Sequence, residues 1–277
     1  ILEIYLGSFG KNSIKKIYRF VGDSIWEKYL SKTENRSFSI NKNSLKIKLL
    51  IKCRNILLSS FSLIIVPSFF LKDYLIKDNL ISRNKIKVIN NFVIKNEKIQ
   101  ILKPRIKSKL KLVSISRLVA WKNIDILIRS VKNLDFIHLD IVGSGPEKNK
   151  LIEILKVEQI NNVSFIGKQN KFNTLQILNE CDCFIQISSY EGMSFSILEA
   201  IELNKPMILS NIKPNVETAK SAAIFVDYKS QESIIKAITL IRDLKVRENL
   251  SNCSKFINKN FYIAEKSLKQ YQDILLT

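Results

Sequence analysis

Histidine is almost missing: the chain of 277 residues has one, His138. That argues against a zinc site, which draws on several imidazole and thiolate ligands. It argues equally against a serine or cysteine triad that needs a histidine at a second site. Cysteine is scarce too. Four residues do not make a disulfide scaffold and fit a reduced, cytosolic protein. Seven glycines and five prolines exclude collagen-like and Pro/Gly low-complexity chains. Long apolar runs are absent. The longest uncharged stretch, Asn55 to Leu71, is shorter than a membrane span needs and is broken by Ser59, Ser60, Ser62, Pro67 and Ser68. The first ten residues are apolar but carry no basic leader and no small-residue cleavage site. Two nucleotide fingerprints are also missing. Gly143-Ser144-Gly145 is followed by Lys148 where a third glycine would stand, and no G-x-x-x-x-G-K-[ST] occurs. Both absences argue against dinucleotide dehydrogenases and P-loop NTPases.

What is present is enough apolar sequence, 46%, to build sizeable cores, and a length that suggests about two domains at about 150 residues each. The net charge is +20 and uneven. Residues 1–110 carry 23 Lys+Arg against 7 Asp+Glu, and residues 111–277 carry 22 against 18. Three origins compete: the Lys, Ile and Asn bias of an AT-rich genome, a surface for anionic lipid or an anionic acceptor, and a nucleic-acid surface.

Strand-length apolar runs alternate with amphipathic stretches, the pattern of βαβ units and parallel sheets. In the first half the pattern predicts strands at Lys16–Val21, Leu63–Val66 and Lys85–Ile89. Helices are predicted at Ser24–Leu30, Ser44–Leu58 and Ser68–Leu80, with a polar loop over Ser31–Asn43. The highly charged stretch Asn90–Lys109, with Pro104, reads as a linker. The second half predicts strands at Lys111–Ser116, Ile137–Val142, Val163–Ile166, Cys183–Ile187, Pro206–Leu209 and Ala223–Val226, with helices between and after them. The helix over Ser44–Leu58 gathers Leu45, Leu49, Cys53, Ile56 and Leu57 near one face and Lys46, Lys48, Lys52 and Arg54 largely on the others. It is either a surface helix with solvated lysines or a contact for a membrane surface.

Two clusters carry chemistry. Ser188 to Ala200 is a strand end, a glycine-containing loop and a helix start, where backbone N–H groups attract phosphate. Glu191 and Glu199 straddle that turn, and a carboxylate there suits sugar or ribose hydroxyls. Ser196-x-x-Glu199 also reads as a capping box, a purely structural use of Glu199. The second cluster, Ser116 to Asn123, places Arg117 and Lys122 between a strand and a helix, where a pyrophosphate can lie. His138, two residues before Asp140 in a strand, reads as structural.

Arg117 and Lys122, the Gly143-Ser144-Gly145-Pro146 turn, Phe165-Ile166-Gly167, Asp182, and Glu191-Gly192 through Glu199-Ala200 occur in this order, each near a predicted strand end. Together they resemble the nucleotide-sugar-binding domain of retaining glycosyltransferases with the GT-B fold, the family usually numbered four (glycosyltransferase group 1). The resemblance covers about residues 111–260. Less specifically, Val21-Gly22-Asp23-Ser24-Ile25-Trp26-Glu27 resembles a segment of the family's first domain. The resemblance implies an α/β fold of two Rossmann-like parallel-sheet domains, the first incomplete. On the order of 90 residues would precede Ile1 in two-domain relatives. The implied division is residues 1–103, 104–260, and a helix over 261–277 packing back on the first domain.

The implied roles are Arg117 and Lys122 at the donor pyrophosphate, Glu199 at the ribose and Glu191 at the donor sugar. Gly143, Gly192, Met193, Ser194 and Phe195 would line the donor site, and Asp23 is a polar group at the cleft. The implied function is sugar transfer, with retention, from a nucleoside-diphosphate sugar to a glycan, lipid-linked or other hydroxyl acceptor. Neither cofactor nor metal is expected, nor is nucleic acid. The expected location is the cytoplasm, with peripheral contact at the inner face of an anionic membrane. Departures from the family pattern are Gly22 where many relatives carry His, Asn123 where Gly is usual, Ile187 where Pro is usual, and Ile212-Lys213 in place of a glycine pair before Glu217. Two rivals follow: a relic that binds nucleotide-sugar without turnover, and a basic nucleic-acid-binding protein.

Overall fold

The computed structural model describes residues 16–22, 27, 45–77 and 81–276. Asp23, the loop over 31–43 and, apart from Glu27, the helix expected over 24–30 lie outside the described residues, as do the side chains of Lys46 and Ile47.

Two parallel sheets form. The first holds β1 (Ile17–Arg19), β2 (Leu63–Val66) and β3 (Ile86–Val88) in the order β1-β2-β3. The second holds β4 (Leu110–Ile115), β5 (Ile137–Val142), β6 (Val163–Gly167), β7 (Cys183–Gln186), β8 (Met207–Ser210) and β9 (Ala223–Val226), in the order β6-β5-β4-β7-β8-β9. Strand order reverses beside β4, so the carboxyl ends of β4 and β7 flank the switch point where open α/β sheets bind ligands.

The strands of the second sheet are mostly apolar on both faces because both faces are covered. Leu112, Ile141, Ile185 and Ile208 point into one layer with α3 (Ile124–Val131) and α8 (Gln231–Leu240). Their neighbours Val113, Val142, Phe184 and Leu209 point into the other. That second layer holds α5 (Lys171–Glu180), α6 (Phe195–Glu202) and α9 (Leu244–Asn260). α4 (Lys148–Val157) and α7 (Lys213–Ala219) complete this half. In the first half, α1 (Leu45–Ser59) and α2 (Phe69–Lys77) cover the small sheet through Leu58, Leu71 and Leu75.

The face of α1 that sequence spacing assembled points away from the body. Leu45, Leu49, Ile56 and Leu57 are exposed, as is Cys53, while Asn55 and Leu58 are buried. Arg54 turns inward, bonding Asn55 Oδ1 at 2.9 and 3.0 Å. Among the described residues no helix is long and apolar enough to cross a membrane.

Residues 90–109 hold no helix and no strand, yet they are tied to the second half. The Leu102 N–H donates to Asn179 Oδ1 (3.1 Å), Lys107 pairs with Asp182 (2.9 Å), and Arg247 donates to the Arg105 carbonyl (2.8 Å). Arg247 is fully buried, and its other bonds go to the Ile241 and Arg242 carbonyls. The last helix, α10 (Ala264–Leu276), crosses back to the first sheet. Its Ile274 packs with Ile17, Ile65 and Ile89, and Tyr271 lies 5.7 Å from the Arg19 guanidinium.

Candidate functional site

A cleft of about 330 Å³ opens between the two halves at the carboxyl ends of β4 and β7. Ser116, Arg117 and Lys122 line it from the loop after β4, Glu191 to Ser194 from the loop after β7, and Phe195 and Ser196 from the first turn of α6. The first half contributes Val21, Glu27 and Asn91.

The loop after β4 is held from two sides. Asn123 adopts a left-handed conformation (φ 51°), which asparagine tolerates better than most residues. Its side chain donates to the Ile187 carbonyl at 2.7 Å, a bond glycine would lack. Behind the loop, Gly143 (φ 138°) packs so closely that a Cβ there would lie 1.9 Å from the Ser116 carbonyl oxygen. Gly143 is not among the residues lining the cleft. It supports the backbone that carries Arg117. The Leu118 N–H, bonded to the Ser144 carbonyl at 2.9 Å, fixes the same approach.

Arg117 is exposed, 3.3 Å from Glu27 Oε2 and with its guanidinium 5.6 Å from the Trp121 ring centre. Lys122 is largely buried and paired with Glu191. The same Glu191 oxygen accepts from Gln186 Nε2, and Gln186 Oε1 in turn accepts from Ser194 Oγ (3.1 Å). These four side chains tie the cation of one loop to the start of α6. Gln186 escaped the sequence reading, although a glutamine inside the apolar run Cys183–Ile187 was a visible signal.

α6 begins at Phe195, with Ser194 as the capping residue. Ser196 therefore lies inside the helix, and its hydroxyl donates to the Ile115 carbonyl (3.1 Å). The capping box fails for that reason: Glu199 does not bond back to Ser196 but is buried against Lys171. The first helical N–H to find a carbonyl within α6 is that of Leu198, on Ser194 (3.2 Å). The N–H groups of Phe195, Ser196 and Ile197 precede it and have no carbonyl one turn back. A helix start of this kind carries partial positive charge toward an anion.

The first half grips this loop. Ser68 Oγ donates to the Gly192 carbonyl (2.8 Å) and Asn91 Nδ2 to the Met193 carbonyl (3.1 Å). In return, Glu217 of α7 accepts the N–H groups of Phe69 (2.7 Å) and Phe70 (3.0 Å), capping α2 across the interface. A second cavity, about 360 Å³, is lined by Phe70, Tyr74, Lys213 and Pro214 and shares Tyr190 and Glu191 with the cleft. His138 stands apart in β5, 3.0 Å from Ser164 Oγ and 3.3 Å from Asp140 Oδ1. Among the described residues no cluster of three or more His, Cys, Asp or Glu could hold a metal ion.

Residues 95–259 match the family model described as glycosyl transferases group 1. The chain is 26% identical over 165 residues to the O-antigen biosynthesis glycosyltransferase WclY of Escherichia coli, covering 58% of this chain and 45% of that protein. It is 31% identical over 185 residues to Protein CapJ of Staphylococcus aureus, 61% of this chain and 46% of the relative. It thus spans about half the length of these curated relatives. Among solved structures, Anabaena HepE in complex with UDP and glucose superposes with a TM-score of 0.76 at 18% identity, covering 94% of this chain and 71% of that one. Staphylococcus aureus TarM with UDP, alpha-GlcNAc-glycerol and Fondaparinux gives 0.71 at 19%, covering 87% and 48%. The two-sheet α/β architecture is that of GT-B glycosyltransferases.

Proposed function

The chain belongs to the glycosyl transferases of group 1, and from that membership we propose that it serves transfer of a sugar from a nucleoside-diphosphate sugar to an acceptor hydroxyl. The observation that carries the reading is one cleft holding Arg117, Lys122, the N-terminus of α6 and Glu191 together at the switch point of a parallel sheet. Two cations and a row of helix-start amides suit a diphosphate, and they stabilise the negative charge that grows on it as the glycosidic bond breaks. Glu199, buried next to the same helix start, suits the ribose hydroxyls. Glu191 orients the sugar. The acceptor oxygen attacks the face from which the diphosphate departs, so configuration is retained. The second cavity, which also reaches Glu191, gives the acceptor a route to that sugar. The names of the relatives favour a saccharide acceptor in the assembly of a cell-surface glycan.

The test is calorimetric titration with UDP, ADP, GDP and CDP and the matching nucleosides. One diphosphate should bind, and Arg117→Ala should weaken it about tenfold while leaving the nucleoside unchanged. Binding of none of the four, or equal loss for diphosphate and nucleoside, would remove the donor-site reading.

Peripheral contact with an anionic membrane is supported by α1. Its exposed Leu45, Leu49, Ile56 and Leu57 stand on the same helix as the exposed Lys48 and Lys52. An apolar face beside lysines suits the boundary between headgroups and acyl chains.

A further inference from the structure

We infer that Ser68 and Asn91, both from the first half of the chain, are positioning residues for the donor loop of the second half. The inference rests on the donor-site reading above and adds to it a dependence on the first sheet.

Ser68 follows β2 and Asn91 follows β3, so the ends of two neighbouring parallel strands present one donor each. The acceptors are consecutive: Ser68 Oγ bonds the Gly192 carbonyl at 2.8 Å, and Asn91 Nδ2 bonds the Met193 carbonyl at 3.1 Å. The Asn91 backbone N–H also meets Met193 Sδ at 3.3 Å. Both side chains are buried, Ser68 at 1% and Asn91 at 3% exposure. The loop is pressed against the first half here, since a Cβ on Gly192 would lie 2.4 Å from the Val21 carbonyl oxygen.

A peptide plane has two polar ends. The N–H groups on the same two peptide planes belong to Met193 and Ser194, each antiparallel to its carbonyl, and both residues line the cleft where α6 begins. Removing the two donors frees the peptide planes to rotate, and a helix start whose amides are not preset binds an anion less well. The second half holds the two ends of this loop through Glu191 and Ser194, and the first half adds the hold on Gly192 and Met193 between them.

Each residue also has a structural duty, in which it accepts. Ser68 Oγ accepts from the Leu71 N–H at 3.3 Å, and Asn91 Oδ1 accepts from Arg19 Nη2 at 2.6 Å. Aspartate at either position keeps the acceptor and deletes the donor, whereas alanine deletes both without adding charge. The experiment uses Ser68→Asp, Ser68→Ala, Asn91→Asp and Asn91→Ala in the 277-residue chain. The probes are the nucleoside diphosphate that the parent chain binds, UDP being tried first, and its nucleoside. All four variants should lose about tenfold in diphosphate affinity and keep nucleoside affinity, which reports that the cleft still folds even where a buried carboxylate lowers the melting temperature. Parent-like diphosphate binding by the two alanine variants would overturn the inference, as would a parallel loss of nucleoside affinity. Failure of the parent chain to bind any diphosphate would instead remove the donor site itself, and the inference with it.

Discussion

The ammonium of Lys122 rests on the carboxylate of Glu191, and the two side chains are only 13% and 10% exposed. A cation read from the sequence as a pyrophosphate ligand is thus also the counter-ion of the carboxylate assigned to the sugar. Breaking such a pair from one side leaves a buried charge with Gln186 as its remaining partner. Lys122→Ala should therefore cost about 3 kcal/mol of stability as well as diphosphate affinity. Adding Glu191→Gln should restore most of the stability but none of the affinity. Urea unfolding beside calorimetric titration separates the two effects, and a stable Lys122→Ala chain would show the pair to be incidental.

Glu199 and Lys171 form the second such relationship, with Glu199 buried and Lys171 mostly exposed. Glu199→Gln should weaken nucleoside-diphosphate binding by about 1.5–3 kcal/mol. It should also narrow the difference between ribose and 2′-deoxyribose forms of the ligand. Because Lys171 is exposed, Lys171→Ala should shift stability by less than about 1 kcal/mol. An unchanged preference for ribose in Glu199→Gln would take the ribose away from this residue.

For α1 the expected outcome is flotation of the chain with anionic vesicles, lost when Lys48 and Lys52 are changed to Gln. Each lysine near an anionic surface contributes about 1 kcal/mol. Arg54, half-buried and bonded to Asn55, should matter for folding and not for lipid. Equal flotation with neutral vesicles would leave the apolar residues as the cause, and no flotation by the parent would make α1 an ordinary solvated helix.

Burial pushes the Cys181 thiol from its usual 9.0 up to about 12, and raises that of Cys183 well above the same value. The folded chain keeps these protons where the unfolded chain loses them. Their contribution to stability is therefore full below pH 9 and declines as pH rises from 9 toward 12. At pH about 8, iodoacetamide should modify the exposed Cys53 and spare Cys181 and Cys183 until the chain unfolds. Mass spectrometry of the labelled peptides checks this, and early labelling of Cys183 would contradict the burial.

Strands in both halves were legible where a short apolar run is ended by polar, proline or glycine residues. The observed β2, β5 and β9 coincide with the runs Leu63–Val66, Ile137–Val142 and Ala223–Val226. The loop residues were legible for a related reason, since they follow strand ends in chain order. What spacing does not encode is contact between distant segments. Nothing near Ser68 or Asn91 announces Gly192 or Met193, more than 100 residues on. Lys171 sits in a polar stretch with no hint of Glu199. For α1 the amphipathic pattern tells which residues share a face, not whether that face meets the core or stands exposed, and here its apolar residues stand exposed. The capping box failed by two residues, because Ser194 rather than Ser196 is the residue that precedes the first turn of α6.

The return of α10 to the first sheet has a consequence for the order of events on the ribosome. Ile274 is the fourth wall of the small core made by Ile17, Ile65 and Ile89, so that core is incomplete until α10 has been made. At about 5–20 residues per second, the interval between the synthesis of Ile89 and that of Ile274 is on the order of ten seconds or more. During that time the second half, whose strands lie between residues 110 and 226, can assemble first. The first sheet, made before the second, is then the one whose core closes later, and a nascent chain stalled before α10 would offer chaperones the apolar face that Ile274 later covers.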